Sequence, residues 1–250
     1  MSGHSKWSTI KRKKAKVDAQ RSKSWSKRAR DIMVAARMWG PDPDANPRLR
    51  MAIDKAKSEN MPNDNIDRAI KKGAGELGGA SYEEIVYEGY GPGGVAVLCQ
   101  VVTDNRNRTA GEIRKVFDRC GGNLGASNSV AWSFHPRGVI VVSAEDAAED
   151  RVFEIAVSNG AADVSSSRTI HEITCDPAAF QQVKAAMEQA GIAIQSAEIS
   201  MVAENQVTLD LGNARKVTRL IELLDEHDDV QSVASNFDIP DDVLAQLEAD

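Results

Sequence analysis

The stretch that most restricts the fold begins at Gly138, where the hydrophobic pattern alternates between a strand period of two and a helix period near 3.6. Residues 139–142 read as a strand, 147–158 as a helix, 162–165 and 169–174 as two strands, 177–190 as a helix and 192–201 as a strand. The order βαββαβ is that of a ferredoxin-like fold. The flanks carry related runs: residues 95–102, a helix from Thr109 and residues 130–134 read as βαβ, as do 207–211, 214–226 and 230–237. Residues 80–136 together with 204–240 are therefore expected to form one α/β domain, with 137–203 inserted into it as a second.

Ahead of these strands the period is helical throughout. Trp25, Ala29, Ile32, Ala36 and Trp39 recur at steps of four and three, one stripe of a helix, which makes Trp25 and Trp39 expected core anchors. Gly40-Pro41-Asp42-Pro43 breaks the chain, and Asn46-Pro47 has the form of an N-cap followed by the first helical position. Leu49, Ile53 and Ala56 space a second helix; Ile66, Ala69 and Ile70 mark a third that stops at Gly73, before a Gly-rich linker. The expected class is α+β multidomain: an N-terminal helical domain (1–75) followed by two ferredoxin-like α/β domains, one inserted into the other.

Charge is distributed very unevenly over this plan. Residues 1–30 hold eleven cations, Lys6, Lys11, Arg12, Lys13, Lys14, Lys16, Arg21, Lys23, Lys27, Arg28 and Arg30, against the single acid Asp18, a formal +10. The chain as a whole stands at −6, so residues 31–250 carry −16. A basic end on an acidic body points to a polyanionic partner. Lys23, Lys27, Arg30 and Arg37 each fall about 200° from the apolar stripe, so one face of this helix packs and the other is expected to be cationic. In the loop 103–108, Arg106 and Arg108 stand near a helix start and are candidate phosphate ligands, with Thr109 and Glu112 at capping-box spacing. Hydrogen bonds within the loop explain the two arginines equally well. The cationic residues named here are the candidate nucleic-acid-binding set.

Catalytic chemistry finds little support. His4, His135, His171 and His227 are scattered, with no HExxH, GxSxG or Cys partner at ligand spacing. Tyr90-Gly91-Pro92-Gly93-Gly94 lacks the Lys-Ser or Lys-Thr of a phosphate loop and leads into a strand, so it reads as a tight turn. Asp225, Glu226, Asp228 and Asp229 read as a solvated acidic face. Cys99, Cys120 and Cys175 form no CxxC pair, the usage of reduced thiols in a cytoplasmic protein. No apolar run approaches the roughly 18 residues of a membrane span. The expectation is a non-enzyme without metal, cofactor or membrane partner.

Four segments in order, GHSKWSTIKRKKAKVDAQRSK, NMPNDNIDRAIKKG, YEGYGPGGVAVLCQVVTDNRNRT and SVAWSFHPRG, resemble the YebC family, also known as the PmpR family of probable transcriptional regulators. Its mitochondrial relative is the translational activator of cytochrome c oxidase. The similarity runs from Ser2 to about Ile239 and implies three domains, a cytoplasmic location and a non-enzymatic, nucleic-acid-associated role. It implies two readings of that role: a DNA-binding transcriptional regulator, or a ribosome-associated factor that binds ribosomal RNA and relieves stalling at difficult sequences such as proline runs. GHSKW directly after Met1 favours a bacterial member. No helix-turn-helix can be written, which tilts the physical reading toward backbone and shape recognition. The acidic body, repelled by a long phosphate surface, favours ribosomal RNA as the partner, where both charge signs have a role.

Overall fold

The computed structural model describes residues 17–78 and 82–249, with the side chains of 24–78 and 82–247. Three helices come first: α1 (Val17–Trp39), α2 (Pro47–Ser58) and α3 (Asn63–Gly73). The start of α2 follows the expected chemistry, since the Asn46 side chain accepts the Leu49 N–H at 3.0 Å and Pro47 needs no partner for its nitrogen. The same amide donates to the carbonyls of Ala35 and Gly40 at 2.9 and 2.8 Å, tying the turn after α1 to the helix that follows. Ile32, Ala36, Leu49, Ile53, Ala56, Ile66 and Ala69 form the shared core. At the end of α3 the helices approach so closely that a Cβ on Gly73 would lie 2.4 Å from the Met33 carbonyl oxygen.

Two four-stranded sheets follow. The first is built from β1 (Glu83–Tyr90), β2 (Ala96–Thr103), the short β3 (Asn123–Leu124) and β9 (Val230–Ser235), in the order β3-β1-β2-β9 with every pairing antiparallel. Alternation along β2 sends Val97, Cys99 and Val101 to a core shared with α4 (Arg106–Arg119) and α7 (Leu211–Asp225). Ala96 and Leu98 go to the other face, against Val130, Phe134, Met201 and Ala203. The second sheet uses β4 (Phe134–Ser143), β5 (Ala161–Ser166), β6 (Ile170–Cys175) and β7 (Ile194–Ala203), in the order β5-β6-β4-β7, again antiparallel. Ile140, Val142, Ile173 and Cys175 face α5 (Glu149–Ser158) and α6 (Phe180–Gln189). β8 (Val207–Thr208) and β10 (Phe237–Asp238) form a separate parallel pair, and α8 (Asp241–Ala249) follows.

Several expectations change here. Residues 130–134 are not a strand of the first sheet. Ala131–Ser133 is a 3-10 turn, and the extended chain from Phe134 belongs to the second sheet. The apolar letters in this stretch reflect Val130 and Phe134 filling the gap between the two sheets, a tertiary demand that imitates a strand run. Residues 207–211 contribute only two extended residues, outside the first sheet, so the flanking runs do not complete it as two βαβ halves. Thr109 does not cap α4: Asn105 does, accepting the Arg108 N–H at 3.1 Å, and Thr109 lies buried one turn into the helix.

Candidate nucleic-acid interface

Helix α1 leads from the basic N-terminal stretch into the helical core. Of the residues expected to bind nucleic acid, Lys6, Lys11, Arg12, Lys13, Lys14 and Lys16 lie outside the described residues, as do the side chains of Arg21 and Lys23 within α1. Trp25, Ala29, Ile32 and Ala36 pack as the stripe requires, and Trp25 donates its ring N–H to the Glu59 carbonyl at 3.1 Å. Trp39 does not. It is 69% exposed, because α1 ends there and Gly40, at φ 93°, turns the chain away before another element covers the last turn.

On the far side of α1, Lys27 and Arg30 do not form a solvent-facing strip, whereas Arg37 in the last turn is exposed. Lys27 donates to the Asp225 carbonyl at 2.6 Å, and Arg30 donates to the Asp228 carbonyl and faces the Asp229 carboxylate at 3.5 Å. These acceptors stand at and just beyond the C-terminus of α7, where unpaired carbonyls and the helix dipole attract positive charge. Arg28 meets Asp31 at 2.8 Å and Glu59 at 3.1 Å. Arg48 pairs with Glu84, and Lys55 with Glu198 at 3.0 Å, so the helical domain is tied to both sheets.

Asp229 is the hub of this docking. The residue expected on a solvated face is 3% exposed; its Oδ2 accepts from Thr109 at 2.7 Å, Thr103 at 3.1 Å and Arg108 at 2.7 Å. Burial on its own would raise its pKa. The Thr109 and Arg108 hydrogen bonds, the Arg30 charge and Thr103 outweigh that and hold the carboxyl below its ordinary value. Arg108 also meets Asp104 at 3.2 Å, so it is engaged internally rather than held open for a phosphate. Arg106, the first residue of α4, is exposed.

Beside this hub, Glu112, His227 and Asp229 bring three ligand-type atoms within 4.8 Å of one another. Their lone pairs are already engaged. His227 Nδ1 accepts the Asp229 N–H at 3.1 Å, which places the ring proton on Nε2, where it donates to Glu112 at 3.0 Å. The trio is a hydrogen-bonded link between α4 and the turn before β9, not an open metal site.

A different cationic cluster does face outward. Trp25, Ser26, Ala29 and Met33 of α1 and Asn65, Arg68, Ala69 and Lys72 of α3 line a cleft of about 330 Å³, and Lys72 also borders a neighbouring hollow with Arg37. Arg37, Arg68 and Lys72 are exposed and make no ion pair with any described residue. Arg68 and Lys72 are four residues apart and so share a helix face, a spacing visible in the sequence but masked there by the denser charge of residues 1–30. Among the described residues, no helix is long and apolar enough to cross a membrane.

Comparison with known proteins places this architecture. Residues 5–76 match the TACO1/YebC protein N-terminal domain, and residues 82–237 match the TACO1/YebC second and third domain. A probable transcriptional regulatory protein of Geobacter sulfurreducens is 53% identical over 247 residues, covering 99% of this chain and all of that one. Another, of Pelotomaculum thermopropionicum, is 54% identical over 243 residues, covering 96% and 100%. The crystal structure of a conserved hypothetical protein from Aquifex aeolicus superimposes with a TM-score of 0.79 at 49% identity, covering 90% of this chain and 93% of that one. The chain belongs to the TACO1/YebC family.

Proposed function

We propose that this protein is a non-enzymatic, nucleic-acid-binding regulator of gene expression, in line with the names of its relatives. It grips a phosphate backbone with the basic residues before Val17 and with the groove between α1 and α3. The observation that carries this reading is the sorting of charge: Lys27 is held by the Asp225 carbonyl and Arg30 and Arg108 by Asp229, while Arg37, Arg68 and Lys72 line neighbouring hollows with no described acid paired to them. Among the described residues no acid–base pair or open metal site argues for catalysis. The strand order β5-β6-β4-β7, with both helices on one face, supports a ferredoxin-like reading of residues 137–203, inserted into a domain made of 80–136 and 204–240.

The test is the salt dependence of binding to duplex DNA and to a ribosomal RNA fragment. Each phosphate contact should contribute roughly −0.9 to the slope of log K against log salt on duplex, or −0.7 on single strands. Arg37→Ala, Arg68→Ala and Lys72→Ala combined should flatten that slope by about two to three contacts' worth. An unchanged slope would remove the groove from the interface. Tight binding by a chain lacking residues 1–16 and carrying the three substitutions would overturn the reading altogether. Preference for one of the two probes separates the transcriptional from the ribosomal role.

A further inference from the structure

Between β3 and β4 the loop of residues 125–133 is held more firmly than its Gly, Ala, Ser and Asn content would lead one to expect. Glu88 of β1, 5% exposed, directs its carboxylate into the loop: one oxygen accepts the Asn128 N–H at 2.7 Å, the other those of Val130 and Ala131 at 2.8 and 2.7 Å. Burial by itself raises the Glu88 pKa, but the backbone donors of residues 128–131 outweigh it and hold the carboxyl below its ordinary range. The Gly125 N–H donates to the Glu88 carbonyl at 2.7 Å. Gly122 passes so close to β1 that a Cβ there would lie 2.5 Å from the Tyr90 carbonyl oxygen.

What this loop presents is aromatic. Trp132 is 67% exposed and Tyr90 is partly exposed beside it; the indole N–H and the phenol O–H both donate to the Ser129 carbonyl, at 3.2 and 3.0 Å. With their polar ends tied to one oxygen, the two rings offer apolar surface in a fixed orientation. A large exposed aromatic contributes little to a core, so a buried carboxylate that fixes its support implies a surface made for contact. The charge around it is also unusual. From Arg119 to Ala144 there is no Asp or Glu, in a chain that carries 37, and Arg119 and Arg137 lie in that stretch. The acids bonded to the loop and its continuation are engaged: Glu88 by backbone amides, Glu204 by His135 at 2.7 Å.

We infer that Tyr90 and Trp132 form a stacking platform for an unpaired base of single-stranded nucleic acid, a site separate from the α1–α3 groove. The inference rests on the nucleic-acid reading above and extends it. Any base offers a π-face to an aromatic ring, an intact duplex hides that face, and the loop itself carries no acid to repel the sugar-phosphate chain.

The experiment measures binding of the full-length protein to labelled oligo-uridine, oligo-thymidine and a blunt DNA duplex, with tryptophan emission followed in parallel. Trp132→Ala should weaken single-strand binding by roughly five- to a hundredfold, the effect of losing one base–aromatic stack, while leaving duplex binding and the salt slope unchanged. Trp132→Phe should retain most of the affinity. The quenching of emission by oligonucleotide should be smaller in the Trp132→Phe variant by the share that Trp132 contributes, with the share of Trp25 in the groove retained. Phe153→Ala, which removes an exposed aromatic on α5, should change nothing. Equal binding of wild type and Trp132→Ala to every probe, or equal weakening by Phe153→Ala, would overturn the platform and leave the groove standing. Wild-type protein that binds none of the probes would overturn the proposed function, and the platform with it. A loss confined to oligo-uridine would identify RNA as the source of the base, and equal losses on both single strands a site indifferent to the sugar.

Discussion

Lys27 and Arg30 in the middle of α1, and Arg37 near its end with Arg68 and Lys72 on α3, are the same chemistry in the same small domain, yet they meet opposite surroundings. The first pair meets the C-terminal end of α7 and Asp229 and fastens the helical domain to the body. The second group meets no described acid and lines neighbouring hollows. A cation's role here is set by what the neighbouring fold places opposite it, not by the local density of charge. The cations closest to the basic stretch are tied within the fold, and more distant ones face no described acid.

The strongest way to break this comparison is to remove the hub. Asp229→Ala strands Thr103, Thr109, Arg108 and Arg30 together, and should lower unfolding free energy by about 3 kcal/mol in urea titration. A loss below about 0.5 kcal/mol, the range of ordinary surface substitutions, would mean that Arg30 and Arg108 do not fasten anything.

Acidification sharpens the same contrast through a second buried carboxylate. Glu88 has a folded pKa below its ordinary 4.5, so its stabilisation is full at neutral pH and is lost as pH falls below 4.5 through the folded value. The stability gap between wild type and Glu88→Gln should therefore be widest near neutrality and narrow on acidification, with amide exchange at Asn128, Val130 and Ala131 accelerating in step. A gap that stays constant into strong acid would show that the loop does not depend on the ionised form.

The smallest expected effect belongs to the outward group. Arg37→Ala, Arg68→Ala and Lys72→Ala together should leave unfolding free energy within about 0.5 kcal/mol of wild type. A larger loss would place these side chains in the structural class and erase the distinction.

Much of the fold was legible because it is local. The Asn46-Pro47 helix start, the stop at Gly73, the Gly-Pro-Gly-Gly turn and the alternation through β4 to β7 all depend on residues a few positions apart. What misled were residues whose pattern answers a distant partner. Thr109 looks like a cap because it is a buried hydroxyl serving Asp229, 120 positions away, and Val130 and Phe134 look like a strand because they fill a gap between sheets. The surroundings of the candidate cations were less legible than the fold, since charge density along the chain says nothing about which cations a folded acid will claim. Even so, the Arg68–Lys72 spacing and the acid-free run from Arg119 to Ala144 were both open to view.

Helix α1 is 23 residues of unbroken helix, about 35 Å at 1.5 Å per residue, and its two contacts with the end of α7 fall near its middle. Mechanically it is a beam resting on a fulcrum. The end beyond this point is joined through Asn46 to Ala35, Gly40 and the start of α2, so a load on α1 would be shared with the next helix. A tilt of the three-helix unit over the sheets would be resisted at its edges by Arg48–Glu84 and Lys55–Glu198.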